Sequence, residues 1–79
     1  MGLKELYDVI HEMNQVDVIF GSEEENSVSF ACEGSDFSMD HGRMKICHLG
    51  MLLIFDDDSE VKEINEFQYS INNEIILVI

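Results

Sequence analysis

The sequence predicts an α+β fold in which one N-terminal amphipathic helix packs on an antiparallel sheet of about five or six short strands, either a curved sheet or a small half-open barrel. The apolar period changes from about 3.6 residues to 2 after residue 14, which separates a helical segment from strand-like segments. Glycine and asparagine turns divide the later segments, and the short connections favour antiparallel neighbours. The length of 79 residues fits one acidic domain spanning residues 1–79.

The helix is predicted over residues 3–14. At 100° per residue, one arc of about 160° holds the apolar side chains. They are Leu3, Leu6, Tyr7, Val9, Ile10 and Met13. Glu5, Asp8 and Glu12 gather on the opposite side, and Lys4 can pair with Asp8 one turn later.

Alternating apolar and polar residues predict four strands, at residues 16–20, 27–32, 36–40 and 44–47. His41-Gly42 lies between the third and fourth strands, where glycine supplies a positive φ. We expect a bulge or bend at Gly50. Met51–Phe55 is apolar on both faces, which predicts a central strand.

Residues 61–65 fit either a short helix or a strand, whereas residues 67–71 alternate as a strand does. Asn72-Asn73 predicts a hairpin turn, because asparagine tolerates a left-handed backbone. The chain closes with five aliphatic residues, Ile75 to Ile79, which would favour aggregation on an exposed edge. This last strand is therefore either central in the sheet or paired with a second chain, and the latter would give a homodimer.

Composition is dominated by negative charge. There are 17 acidic and 4 basic residues, for a net charge of −13, with an ordinary apolar fraction of 46%. Disorder combines high charge with low hydrophobicity, so this balance indicates a folded domain with an acidic surface. No secretory signal and no membrane-length apolar run is visible, so we expect a cytoplasmic protein. There Cys32 and Cys47 are expected to be reduced, buried side chains.

Residue patterns for chemistry are missing from the sequence. Asp56, Asp58 and Glu60 resemble the start of a calcium loop, but the sixth and twelfth positions hold Val61 and Phe67 instead of glycine and glutamate. The histidines and cysteines match no zinc spacing. There is also no nucleophile elbow and no phosphate-binding loop. We therefore predict no metal, no cofactor and no enzymatic activity.

The charge opposes direct binding to nucleic acid, which requires lysine and arginine to neutralise phosphates. It attracts proteins with a basic groove instead. The sequence therefore predicts an acidic inhibitor that mimics DNA in the basic cleft of a nucleic-acid-binding protein. The predicted partner-binding residues are Glu5, Asp8, Glu12, Glu23, Glu24, Glu25, Asp56, Asp57, Asp58 and Glu60.

In size and composition the chain resembles small phage-encoded inhibitors, such as anti-CRISPR proteins and uracil-DNA glycosylase inhibitors. The resemblance covers no aligned motif, so it assigns no role to any residue. The alternative is a general protein–protein interaction or immunity-type module that binds a partner, or itself, through the C-terminal strand or an apolar patch. The acidic surface itself is also compatible with a purely solubilising role.

Overall fold

A computed structural model describes residues 1–22 and 25–79, with side chains described for residues 1–21 and 28–79. The α+β class is confirmed. In chain order the elements are α1 (Leu3–Ile10), β1 (Val16–Ser22), β2 (Glu25–Cys32), a 3-10 turn (Gly34–Asp36), β3 (Phe37–Asp40), β4 (Arg43–His48), β5 (Met51–Phe55), β6 (Val61–Asn65), β7 (Gln68–Ile71) and β8 (Ile75–Val78). The eight strands described exceed the five or six that were predicted.

The strands form two antiparallel sheets rather than one. The larger sheet has the order β2-β1-β8-β7-β6, and the smaller has the order β3-β4-β5. Neighbours within the smaller sheet are consecutive in sequence, whereas β1 and β8 join opposite ends of the chain, with Asp17 paired to Val78. Tight turns set the local pairs, and one long-range pair completes the larger sheet.

Apolar side chains from α1 and from both sheets meet in one core. The helix contributes Leu3, Leu6 and Ile10, which lie on the face that the periodic pattern predicts. It packs mainly against β3 and β4. The most deeply buried sheet residues are Val16, Val18, Met44, Ile46, Ile71, Ile75 and Leu77.

The helix is shorter than predicted, because it ends at Ile10 rather than at residue 14. The Met13 carbonyl accepts a hydrogen bond from the Gly34 amide at 2.8 Å, so it is turned toward the 3-10 segment. Gly34 itself packs directly on the backbone of Ile10 and His11. A tertiary contact, which helical periodicity cannot reveal, therefore ends the helix.

Two of the predicted turns, His41-Gly42 and Asn72-Asn73, are present, and Leu49-Gly50 forms a third. His41 and Gly42 both have positive φ, as do Leu49 and Gly50, and Asn72 and Asn73. The turn at Leu49-Gly50 is a tight hairpin of two residues rather than the predicted bulge or bend. Residues 61–65, which the sequence left open between helix and strand, form strand β6.

The prediction of a central strand at Met51–Phe55 is wrong. In the described structure, β5 pairs with β4 on one side and with no strand on the other. Its outer-face side chains, Leu52 and Ile54, are exposed. An apolar pattern on both faces indicates burial on both faces, but it does not say whether the chain itself supplies the cover.

The C-terminal strand resolves the other open alternative. β8 lies between β1 and β7 and pairs with both. Its aliphatic run is therefore buried as a central strand, and neither edge is free to pair with a second chain.

Candidate functional site

The acidic loop, defined here as residues 56–60, links β5 to β6 and exposes Asp56, Asp57, Asp58 and Glu60. The Glu60 backbone amide donates to the Asn72 side-chain oxygen at 2.8 Å. The Asn72 backbone amide donates to the Glu60 backbone carbonyl, also at 2.8 Å. The Asn72 side chain also donates to the Ser59 hydroxyl at 3.1 Å. These bonds fix the second half of the loop to the β7–β8 turn.

The other end of the acidic loop lies beside the β3–β4 turn. A Cβ atom at Gly42 would stand 3.2 Å from the Cβ of Asp57. Asp40, on the same turn, lies 3.5 Å from the Lys45 ammonium. Among the described residues, the carboxylates of the acidic loop form no ion pair, so their charges are not neutralised locally.

The predicted row of helix carboxylates is only partly present. Glu5 and Asp8 are exposed on α1, but Asp8 pairs with Lys4. Glu12 lies beyond the end of the helix, where its carboxylate is 3.6 Å from His11 Nε2. One of the three charges is thus paired with a lysine, and another no longer follows the helical spacing.

The third predicted group falls at the β1–β2 connection. Glu23 and Glu24 lie outside the described residues, and Glu25 begins β2 with an undescribed side chain. The described part of the predicted surface therefore consists of the acidic loop and the exposed carboxylates of α1.

A pair of side chains that sequence reasoning did not join lies at the opposite end of the smaller sheet. His48 Nδ1 is 3.0 Å from Asp36 Oδ2, and the imidazole stacks on Phe30 with ring centroids 5.1 Å apart. The same Asp36 oxygen accepts the Glu33 amide at 3.0 Å. Twelve residues separate Asp36 from His48, so no local spacing joins them, although Glu33 and Asp36 show the spacing of a helix capping box.

Asp36 and His48 border an open hollow of about 510 Å³ that Cys32 and Leu49 also line. The pKa of Asp36 is lowered, mainly by the hydrogen bond from the Glu33 amide and then by His48. Burial and the nearby carboxylates of Asp36 and Asp17 raise the pKa of Cys32 to about 11. The thiol is therefore protonated at neutral pH, which makes it a poor nucleophile and metal ligand.

Both cysteines are free thiols, but only Cys32 is buried. The prediction that Cys47 is also buried is wrong, because it lies on the outer face of β4 opposite Leu52. In the described parts of the chain, no three histidine, cysteine, aspartate or glutamate side chains form a group that could hold a metal ion.

An apolar hairpin surface, which we define as Leu49, Met51, Leu52 and Ile54, was missed by sequence reasoning. Eight large apolar side chains are exposed among those described, and four of them belong to this surface. Leu49 is 92% exposed and Leu52 is 55% exposed. The signal was visible as the apolar run that was assigned to a central strand.

The one helix that the structure describes is neither long nor apolar enough to cross a membrane. Comparison of the chain with known protein families, curated proteins and solved structures finds no match.

Proposed function

We propose that the protein is a non-enzymatic inhibitor that binds the basic cleft of a nucleic-acid-binding protein through its acidic surface. One observation supports this most directly: Asp56, Asp57 and Asp58 are exposed and, within the described structure, lack ion pairs, in a chain with a net charge of −13. A neighbouring lysine or arginine would compete with a partner for these carboxylates, and none of those described pairs with them.

The anchoring of the acidic loop favours recognition over simple solvation. Asn72 bonds to both Glu60 and Ser59. The Ser59 backbone amide donates to the Asp56 carbonyl at 3.0 Å, so both ends of the acidic loop are held by hydrogen bonds. A surface that is ordered before binding loses less conformational entropy in the complex. The charged groups can therefore meet arginine and lysine side chains without much reorganisation.

Electrostatics also determines how this binding should behave. Long-range attraction between the acidic surface and a basic cleft accelerates association, and salt weakens it because charges are screened over about 8 Å at physiological ionic strength. Duplex DNA should compete, because it presents the same negative charge to the same cleft.

The test uses the immobilised protein to capture partners from lysate of the encoding organism at low and high salt. We expect a nucleic-acid-binding protein that is released by salt and by competing duplex DNA. The double substitution Asp57→Lys with Asp58→Lys should weaken binding of that protein at least tenfold. Glu63→Lys with Glu66→Lys makes the same change in net charge on the exposed side of β6 and its turn, and should weaken binding much less.

Equal losses in the two double variants would show a dependence on net charge alone and would contradict a defined acidic site. A partner that remains bound at high salt would favour the second candidate, a general interaction module. The exposed apolar hairpin surface is the observation that motivates that candidate.

A further inference from the structure

The described sheets have four outer strands, and three of them carry charged residues. Glu25 lies in β2, Lys62 and Glu63 lie in β6, and Asp40 lies in β3. Charges on outer strands oppose pairing with other chains. β5 has no charged residue, so it is the unprotected edge of this structure.

The direction of the β5 backbone groups follows from its turn. Leu49 and Gly50 have φ values of 48° and 82°, which fit a type I′ turn closed by His48 and Met51. In an antiparallel pair, successive residues alternate between facing the partner strand and facing away from it. Met51, Leu53 and Phe55 therefore bond to β4, while the amides and carbonyls of Leu52 and Ile54 face the open edge.

We propose that β5 pairs antiparallel with β5 of a second copy of this chain, about a two-fold axis at Leu53. Leu52 then lies opposite the partner's Ile54, and by symmetry Ile54 lies opposite the partner's Leu52. These two pairs supply four backbone hydrogen bonds, and the two smaller sheets become one continuous sheet of six strands.

The side chains fit this register. On the outer face, Leu52 is 55% exposed and Ile54 is 47% exposed. In the dimer, the partner's Ile54 would cover Leu52, and the partner's Leu52 would cover Ile54. Met51, which is 37% exposed, lies opposite the partner's Phe55. Cross-strand pairs of aliphatic and aromatic side chains stabilise antiparallel sheets. The strand is thus nearly self-complementary about its middle residue.

The charge distribution favours a second copy as the occupant. The two Asp56 residues would be six positions apart along the paired strands, about 20 Å, which exceeds the screening length of about 8 Å. Beside the edge lie Arg43 and Lys45, two of the four basic residues of the chain. The two Asp56 carboxylates are therefore kept apart across the contact, and Arg43 and Lys45 add positive charge beside it, which reduces the repulsion between two acidic chains.

The contact is short. Five paired residues extend about 17 Å, which places the interface at the small end of the range for specific association. We therefore expect reversible dimerisation with a dissociation constant in the micromolar range. This proposal is independent of the acidic inhibitor role, because it uses a different surface.

The first test is sedimentation of the intact protein from about 1 µM to about 1 mM, across the expected dissociation constant. The mass should rise from 9.1 kDa toward twice that value. Added salt should strengthen the dimer, because it screens repulsion between two acidic chains, whereas it should weaken binding to a basic cleft. Loss of one behaviour without the other distinguishes failure of this proposal from failure of the proposed function.

Two variants locate the interface. Leu52→Lys places a charge in the contact, and Ile54→Pro removes an edge amide that β4 does not use, so the fold is retained. Each should weaken dimerisation at least tenfold. Val28→Lys changes an aliphatic side chain, 61% exposed, on the β2 edge, and should dimerise as the unmodified chain does.

Amide hydrogen exchange supplies a readout at single residues. As concentration rises, the amides of Leu52 and Ile54 should become protected, while exposed amides of β2 and β6 stay unchanged. A mass of 9.1 kDa at every concentration would overturn the proposal. So would a dimer that survives both edge substitutions, or one that Val28→Lys disrupts equally.

Discussion

At the scale of single residues, Leu49 combines two unfavourable features. Its φ is 48°, in the left-handed region that costs an L-residue about 1–2 kcal/mol, and its side chain is 92% exposed. Asparagine and glycine are the residues that this turn position favours. Leu49 lies beside the proposed dimer edge and lines the hollow next to His48. Its backbone conformation therefore lowers local stability at a place where apolar surface is exposed.

Leu49→Asn should therefore raise the free energy of unfolding by about 0.5–1 kcal/mol, because asparagine tolerates the left-handed backbone at lower cost. Urea denaturation at low protein concentration measures the change. Leu52→Asn, at an exposed position with ordinary strand geometry, is the control and should give no gain. A loss of stability in Leu49→Asn would contradict the turn geometry.

The carboxylate of Asp36 stabilises the fold in its ionised form. Its pKa in the folded state lies below the ordinary value of 3.8, mainly because the Glu33 amide donates to it. The resulting stability is complete above that ordinary value and is lost as the pH falls through the lowered pKa. Asp36→Asn should lower the free energy of unfolding at pH 7 by about 1 kcal/mol, since the site is partly exposed.

Unfolding curves of the Asp36→Asn variant and the unmodified protein should converge as the pH falls through the lowered pKa of Asp36, below which both carry a neutral side chain. Asp58→Asn, in the exposed acidic loop, is the control and should leave the free energy of unfolding at acid pH nearly unchanged. A difference that stays constant from pH 7 to the acid limb would show that Asp36 acts only through shape.

At the scale of elements, the junction between α1 and the 3-10 turn depends on one close backbone approach. A Cβ atom at Gly34 would stand 2.3 Å from the Ile10 carbonyl oxygen and 2.6 Å from the His11 carbonyl carbon. Neither atom can move like the end of a side chain, so the helix or the turn must shift.

Gly34→Ala should therefore lower the free energy of unfolding by about 2–3 kcal/mol. Gly2→Ala, where a Cβ would meet nothing within 4 Å, should lower it by about 1 kcal/mol or less, the cost of alanine in place of glycine at the helix N-cap. Denaturant titration of both variants measures the contrast. Equal stability of the two variants would show that the backbone at Gly34 is not confined.

Much of the local structure can be predicted from the sequence, because it depends on local periodicity and turn chemistry. The buried face of α1 and the turns at His41-Gly42 and Asn72-Asn73 are of this kind. The end of α1 and the Asp36–His48 pair cannot be predicted in this way, because each depends on residues that only the tertiary fold brings together. The edge position of β5 cannot be predicted either, because the apolar pattern is the same whether this chain or another chain covers the strand.

At the scale of the whole molecule, charge opposes compactness. Seventeen acidic residues and four basic residues fill a domain with a radius of gyration of 11.2 Å. Self-repulsion destabilises such a compact state, and salt reduces the repulsion. The division into two sheets depends on which strands pair with each other. The sequence pattern specifies this pairing only for strands that are adjacent in the chain.

Raising the salt concentration should therefore raise the melting temperature by about 4–8 °C, the shift that about 1 kcal/mol produces in a domain of this size. Glu63→Lys with Glu66→Lys changes the net charge from −13 to −9, since each reversal adds two charges, and should show a smaller rise. Thermal melts followed by circular dichroism provide the measurement. A melting temperature that falls with added salt would contradict net repulsion.

We expect the central position of β8 to set the order of folding as well. Asp17 pairs with Val78, 61 positions later, while β3, β4 and β5 pair with their immediate neighbours. Local hairpins should form early, and closure of the long loop should limit the rate of folding. Until the ribosome releases residues 75–78, the sides of β1 and β7 that will receive β8 remain open to other chains. During that interval we expect repulsion between the negative charges to oppose contact between nascent copies, before there is a folded surface.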